Sequence, residues 1–160
     1  MKTAVDVSTF ARAESDVAIK KIHDAVGFNA WLHYRAPVPI DQQNVIRMNR
    51  DTLYSAVVLD LSVPAVITMP ETSGRYQSLH VISQDHYSYA KTSPGRYEIT
   101  REEVGTRFAY IIVRTFFSPD DLDATNALQD ALHVEGGGSG PLEIPDWDIE
   151  QMMTAREALN

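Results

Sequence analysis

A chain of 160 residues with 44% hydrophobic content can bury one proper core and is too short for two ordinary domains. Its formal net charge of −8 and pI near 5.0 argue against nucleic acid and anionic membranes as partners, because both call for a basic surface. Without cysteine it has no disulfide, no thiolate ligand and no cysteine nucleophile.

At the N-terminus, Asp6 stands where a signal peptide needs its apolar centre, and no apolar run approaches the roughly 20 residues of a membrane helix. A cytoplasmic protein without a membrane partner is the expectation. From about Ser8 to Val26, the spacing of Ile19, Ile22 and Val26, with Ala18 and Ala25 alongside, predicts one buried helix face, and Lys20, Lys21 and Asp24 fall on the other side. Gly27 ends the helix. Phe28 to Arg35 then runs into Pro37 and Pro39, which points to an extended connection or sheet edge and completes a helical lead over 8–35.

The hinge of the sequence is Arg47 to Ser55, a polar cluster placed just before the first long apolar run, Ala56 to Leu61. A second run, Ala65 to Met69, follows Ser62-Val63-Pro64, and further strands are predicted at Arg75 to Ser83, Asp85 to Lys91, Arg96 to Thr100 and Arg107 to Phe117. Strands this close, with no helical crossover between them, pair antiparallel. The fold class is therefore α+β: a mainly antiparallel β-sandwich or jelly-roll-like body over 45–117, with an N-terminal helix and one or two C-terminal helices.

Charge divides the chain. Residues 1–117 carry 13 basic and 12 acidic groups, a net +1, whereas residues 118–160 carry 1 and 10, a net −9. In this acidic helical tail, Ser118-Pro119-Asp120-Asp121 reads as a helix start with Leu122, Leu128 and Leu132 as its buried stripe, and Asp148 with Gln151 reads as a capping pair for a last helix. The glycine run Gly136 to Gly140 lacks the Lys-Ser/Thr pair of a phosphate loop and reads as a flexible linker. The whole chain, 1–160, is expected to form a single domain.

No cofactor motif is present. His80 and His86 flank Asp85 without the spacing of a zinc site, so no metal is expected, and a Ser55-His80-Asp51 triad lacks the strained elbow that exposes a nucleophile. Asn49 and Asp51 can bond their own backbone to form a turn. Arg114 interrupts the apolar row Phe108, Tyr110, Ile112 and Phe116, and as a buried guanidinium it needs a partner, for which Asp51 or Asp60 is available.

The segments Asn49-Arg50-Asp51-Thr52-Leu53-Tyr54-Ser55, Leu59-Asp60-Leu61-Ser62, Gly74-Arg75-Tyr76-Gln77-Ser78-Leu79, Val113-Arg114-Thr115, Asp120-Asp121-Leu122 and Ala127-Leu128-Gln129 together resemble the bacterial domain-of-unknown-function 1254 family, over roughly Glu14 to Leu132. The resemblance implies a β-sandwich-like core with flanking helices, in relatives that often carry a second domain and an export signal. By its length this chain is expected to be a compact, stand-alone member. The family brings no reaction and no catalytic residue. Function then rests on the residues: a small-molecule-binding module whose rim of Asn49, Asp51, Tyr54, Arg75, His80 and Arg114 receives a polar or anionic ligand. The alternatives are a metal-independent hydrolase or lyase with Asp51 or His80 as general base, and a structural role in which Trp31, Tyr34 and the Pro37 to Ile40 edge pair two chains as a homo-oligomer.

Overall fold

The structure, a computed structural model, describes residues 2–42 and 49–159. Arg47 and Met48 of the polar hinge, and the expected start of the β core at 45, lie outside the described residues. Helix α1 spans Phe10–Val26 and buries Ile19 and Ile22 as the periodicity requires. It begins two residues later than expected, because the Asp6 carboxylate accepts the backbone N–H groups of Ser8 (2.9 Å) and Thr9 (3.0 Å) and holds them in a turn. Gly27 stops the helix at φ +79°, its N–H donating to His23 O at 2.7 Å.

The sheet is organised on one strand. β1 (Leu32–His33) leads to β2, which runs unbroken from Thr52 to Met69 in place of the two strands expected on either side of Ser62-Val63-Pro64. Pro64 is tolerated because it falls where the register with β7 (His133–Gly138) shifts between Asp60 and Ala65, at a point that is exposed and asks no ladder N–H of it. The first half of β2 lies in the order β1-β2-β6-β3-β4, with β3 at Gln77–Ser83, β4 at Ser88–Lys91 and β6 at Phe108–Phe116. The second half pairs with β5 (Gly95–Ile99) on one side and β7 on the other, and all named pairings are antiparallel.

Side chains of both halves of β2 enter one core. Val57, Leu59 and Leu61 from the first half meet Ala65, Ile67 and Met69 from the second, together with Leu79, Val81, Ile99, Ile111 and Val113. The register with β7 shifts between Asp60 and Ala65, and beyond it the second half, paired with β5 and β7, turns its side chains into the same core as the first. α1 covers part of the opposite face, packing Ile19 and Ile22 on Ala56, Val58, Ile82, Phe108 and Tyr110. The α+β class with an antiparallel, sandwich-like body is therefore what the chain adopts.

Most of the expected flexible linker is instead strand β7, which takes in Gly136, Gly137 and Gly138. Glycine is needed there for closeness, not mobility: a Cβ on Gly136 would sit 2.6 Å from Pro64 O, and one on Gly138 would sit 2.3 Å from Ser62 Oγ. After α2 (Arg101–Val104), β6 and a 3-10 turn at Pro119–Asp121, α3 runs from Leu122 to Asp130. Its buried residues are Thr125 and Gln129, not the leucine stripe; Gln129 Nε2 donates to Tyr34 O (3.2 Å) and Tyr54 O (3.1 Å). Leu132, beyond the helix, is buried in the main core.

The last helix, α4 (Ile149–Leu159), is capped by Asp148, whose Oδ1 accepts from Glu150 N and Gln151 N. Gln151 does not return the bond to the cap; its Oε1 accepts from Val5 N at 3.0 Å. A small core of Val5, Ala13, Trp147 and Met152 seats this end of the chain on α1. Beneath it the fully buried Asp16 accepts from Trp147 Nε1 (2.9 Å) and Gln84 Nε2 (2.7 Å). Among the described residues, no helix is long and apolar enough to cross a membrane.

Candidate functional site

The pleat of β2, β6 and β3 decides which polar groups meet. Tyr54 pairs with Arg114, and Arg114 pairs with Ser78, so the three form one row on the face toward α1; the next row is Ala56, Ile112 and His80. α1 covers the end of this face near Val58 and Tyr110 and leaves the end near Arg114 open. The 34–38 segment stands beside it, fixed by the Tyr34 N–H donating to Tyr54 O at 2.8 Å.

Between helix, segment and sheet lies a cleft of about 540 Å³. Its floor is Ala56, Ile112 and Tyr110, and its apolar walls are Ala18 and Ile22 from α1 and Ala36, Pro37 and Val38 opposite. Polar groups are few: Lys21, Tyr34, Asn49, Thr52, Tyr54 and Arg114. Among the described residues, no carboxylate lines it. That size and that mix of many apolar and few polar groups are those of a small-molecule site.

Arg114 is the group that distinguishes the cleft. Its guanidinium lies over the Tyr54 ring, 5.8 Å from the centroid, an arrangement that holds its plane by cation–π attraction. Its Nε is buried without a hydrogen-bond partner among the described residues. Six other arginines, Arg12, Arg35, Arg75, Arg96, Arg107 and Arg156, each pair with a carboxylate. Neither acid expected for Arg114 is its partner. Asp60 is fully buried against Arg107, accepting Nε and Nη2 at 3.0 Å each, and Asp51 is exposed.

The remaining expected site residues divide. Asn49 and Tyr54 line the cleft with Arg114. Asn49 makes the expected turn, its Oδ1 accepting Asp51 N at 2.7 Å while its Nδ2 donates to Thr52 Oγ1 at 3.1 Å. Asp51 contributes its backbone, its carbonyl accepting Phe117 N at 3.1 Å, and is not a lining residue. Arg75, two residues before β3 and at the same end of the sheet as Arg114, does not line the cleft: it is held by Asp121, by Thr125 Oγ1 at 2.8 Å and by Phe116 O at 3.2 Å, and so ties α3 to β6.

His80 is half-buried in the same row as the floor residues Ala56 and Ile112, one strand beyond them. Burial holds its imidazole below the usual range, with the Arg114 and His86 charges adding to the effect, so it is neutral at pH 7. Ser55 faces away from His80, is fully buried, and its hydroxyl bonds His33 Nδ1 at 2.8 Å, so no Ser55-His80-Asp51 triad assembles. Among the described residues, no group of three or more metal-ligating side chains converges.

Lys21, Tyr34 and Tyr110 are cleft residues that sequence reasoning missed. Tyr110 shares the alternation that singled out Arg114 and could have been found by it. Burial raises its phenol above the ordinary range, which keeps it a hydrogen-bond donor.

The profile of a family described as "Protein of unknown function (DUF1254)" matches residues 28–136, a span that contains the hinge, both halves of β2 and Arg114. The chain belongs to this family. Among solved structures, the VPA0106 protein from Vibrio parahaemolyticus is similar in fold to this DUF1254 member, with a TM-score of 0.61 at 16% identity, over 87% of this chain and 41% of that one. The chain thus spans under half the length of that structural neighbour. No curated protein matches the sequence significantly.

Proposed function

We propose that the protein binds a small organic anion with an apolar body, of the monocarboxylate class, in the cleft between α1, the 34–38 segment and the sheet. The observation that carries this reading is Arg114, a half-buried guanidinium that lines an apolar cleft and has no carboxylate partner among the described residues. A desolvated cation of this kind is stabilised by an anion that brings two acceptor oxygens, and a carboxylate does so in the geometry that guanidinium favours. Tyr54 and Asn49 are placed to orient the headgroup. Ile22, Pro37, Val38 and Ile112 offer the apolar surface along which a short chain or ring is buried.

The test is calorimetric titration with octanoate and phenylacetate beside their uncharged amides. The acids should bind, the amides should bind at least about tenfold more weakly, and Arg114→Met should remove the difference, since a charge-assisted hydrogen bond contributes roughly 1.5–3 kcal/mol. Equal binding of acid and amide, or no binding of either acid, would refute the proposal.

A further inference from the structure

The register carries the anion end of the cleft one strand further. On β3, Ser78 lies directly across from Arg114, and His80 is the next residue on the same face, across from Ile112. Diagonal neighbours of this kind are about 7–8 Å apart at the backbone, within reach of an arginine and an imidazole. On its far side His80 pairs with Ala90 of β4, whose side chain offers no polar partner.

The groups around His80 are basic or neutral apart from one paired acid, and α1 adds Lys21 at the cleft. Arg114 comes from β6, and Tyr110 shares its face from the same strand. His86 follows β3 and is bonded through Nδ1 to Ser15 Oγ at 2.9 Å. The acid that α1 contributes on this side, Glu14, is held by both Nη2 and Nε of Arg156. β4 contributes only Ser88 and Ala90 to this face. Two basic side chains thus stand on one open face with no carboxylate between them among the described residues, and the fold keeps both there by holding the imidazole neutral.

We infer that His80 is a second, proton-gated half of the anion site: a headgroup bound at Arg114 draws a proton onto His80, so that binding tightens as the solution is acidified. This rests on the reading of the cleft given above and names its regulation. The sign follows from linkage. An anion stabilises the charged imidazole, so its proton affinity rises on binding, and by reciprocity lower pH favours the bound state.

The experiment uses octanesulfonate, whose single charge does not change between pH 8 and pH 5.5. The intact chain should bind it about tenfold more tightly at the lower pH, the limit for a single imidazole whose proton affinity rises about tenfold when the anion is bound. His80→Gln should bind as the native chain does at pH 8, with a flat profile. His80→Lys, which fixes the positive charge, should bind tightly at every pH, and the His80 imidazole followed by NMR should titrate higher with the probe present. A pH profile that persists in His80→Gln, or a flat native profile alongside binding that still needs Arg114, would overturn the role of His80 and leave the cleft. Absence of Arg114-dependent binding at every pH would overturn both.

Discussion

Replacing Asp60 by asparagine tests the electrostatic seam of the fold most directly. Asp60 is fully buried on β2, accepts two hydrogen bonds from Arg107 and one from Ser62 N at 3.0 Å, and stands where Gly138 passes close. The Arg107 bonds pull its pKa down to about 2 from 3.8, against the opposing effect of burial. A tenfold change in proton affinity is worth about 1.4 kcal/mol, so the folded chain favours the carboxylate over the neutral acid by about 2–3 kcal/mol. Asparagine removes the charge and turns two donors toward a guanidinium that can only donate, and breaking a buried pair in this way costs about 3–5 kcal/mol. The expected loss is therefore about 2–4 kcal/mol at pH 7, or roughly 5–15 °C in Tm for a chain of this size. Urea unfolding of both proteins at pH 7 and at low pH measures it. A depressed carboxylate contributes its stability above its unfolded pKa and loses it as pH falls toward the folded value, so the gap between native chain and variant should narrow between pH 4 and pH 2. A change below about 0.5 kcal/mol at pH 7, or a gap that does not narrow, would refute the assignment.

Three further outcomes are expected. Gly105→Ala, at φ +87° with nothing within 4 Å of the new Cβ, should cost about 1 kcal/mol from backbone strain alone, whereas Gly136→Ala, at φ +72° and 2.6 Å from Pro64 O, should cost clearly more, and denaturant midpoints rank the two. Arg75→Ala should lower stability by about 1–3 kcal/mol by freeing Thr125 and Asp121, yet leave octanoate affinity unchanged in calorimetry; a lost affinity would move the site toward α3. His33 and His80 are both held below 6.5 in the fold, first by burial, so the unfolded chain takes up protons first as pH falls. Melting temperature should be level above about pH 7 and fall below about 6.5, and the fall should be shallower in the double variant His33→Gln, His80→Gln.

The sequence exposes what depends on near neighbours and on strand parity. The Ile19 and Ile22 face, the Asn49 turn, the Asp148 cap and the placing of Arg114 among aromatic and aliphatic residues can all be read within a few positions. What it hides depends on distant partners. Pro64 and the glycines of β7 look like breaks in isolation, and only the pairing of β7 with β2 shows that the one sits at a register shift and the others make room for Pro64 and Ser62. Arg75 looks like a ligand clamp because Asp121 and Thr125 are far along the chain, and the same distance hides Arg107 as the partner of Asp60. The cleft itself is not legible, since Lys21, Tyr34 and Tyr110 belong to three segments that only the tertiary fold brings together.

The continuity of β2 also bears on how the molecule opens. One strand supplies hydrogen bonds to β1, β5, β6 and β7, so neither half of the sheet can detach while the other keeps its edge intact. Its partners lie before and after it, as far along the chain as His133–Gly138, which makes the decisive contacts non-local and the search for them slow. Amide exchange at the paired residues of β2, 52–60 and 65–69, should then report a single, nearly uniform protection, set by global unfolding, with the exposed residues 62–63 and the helical ends exchanging earlier.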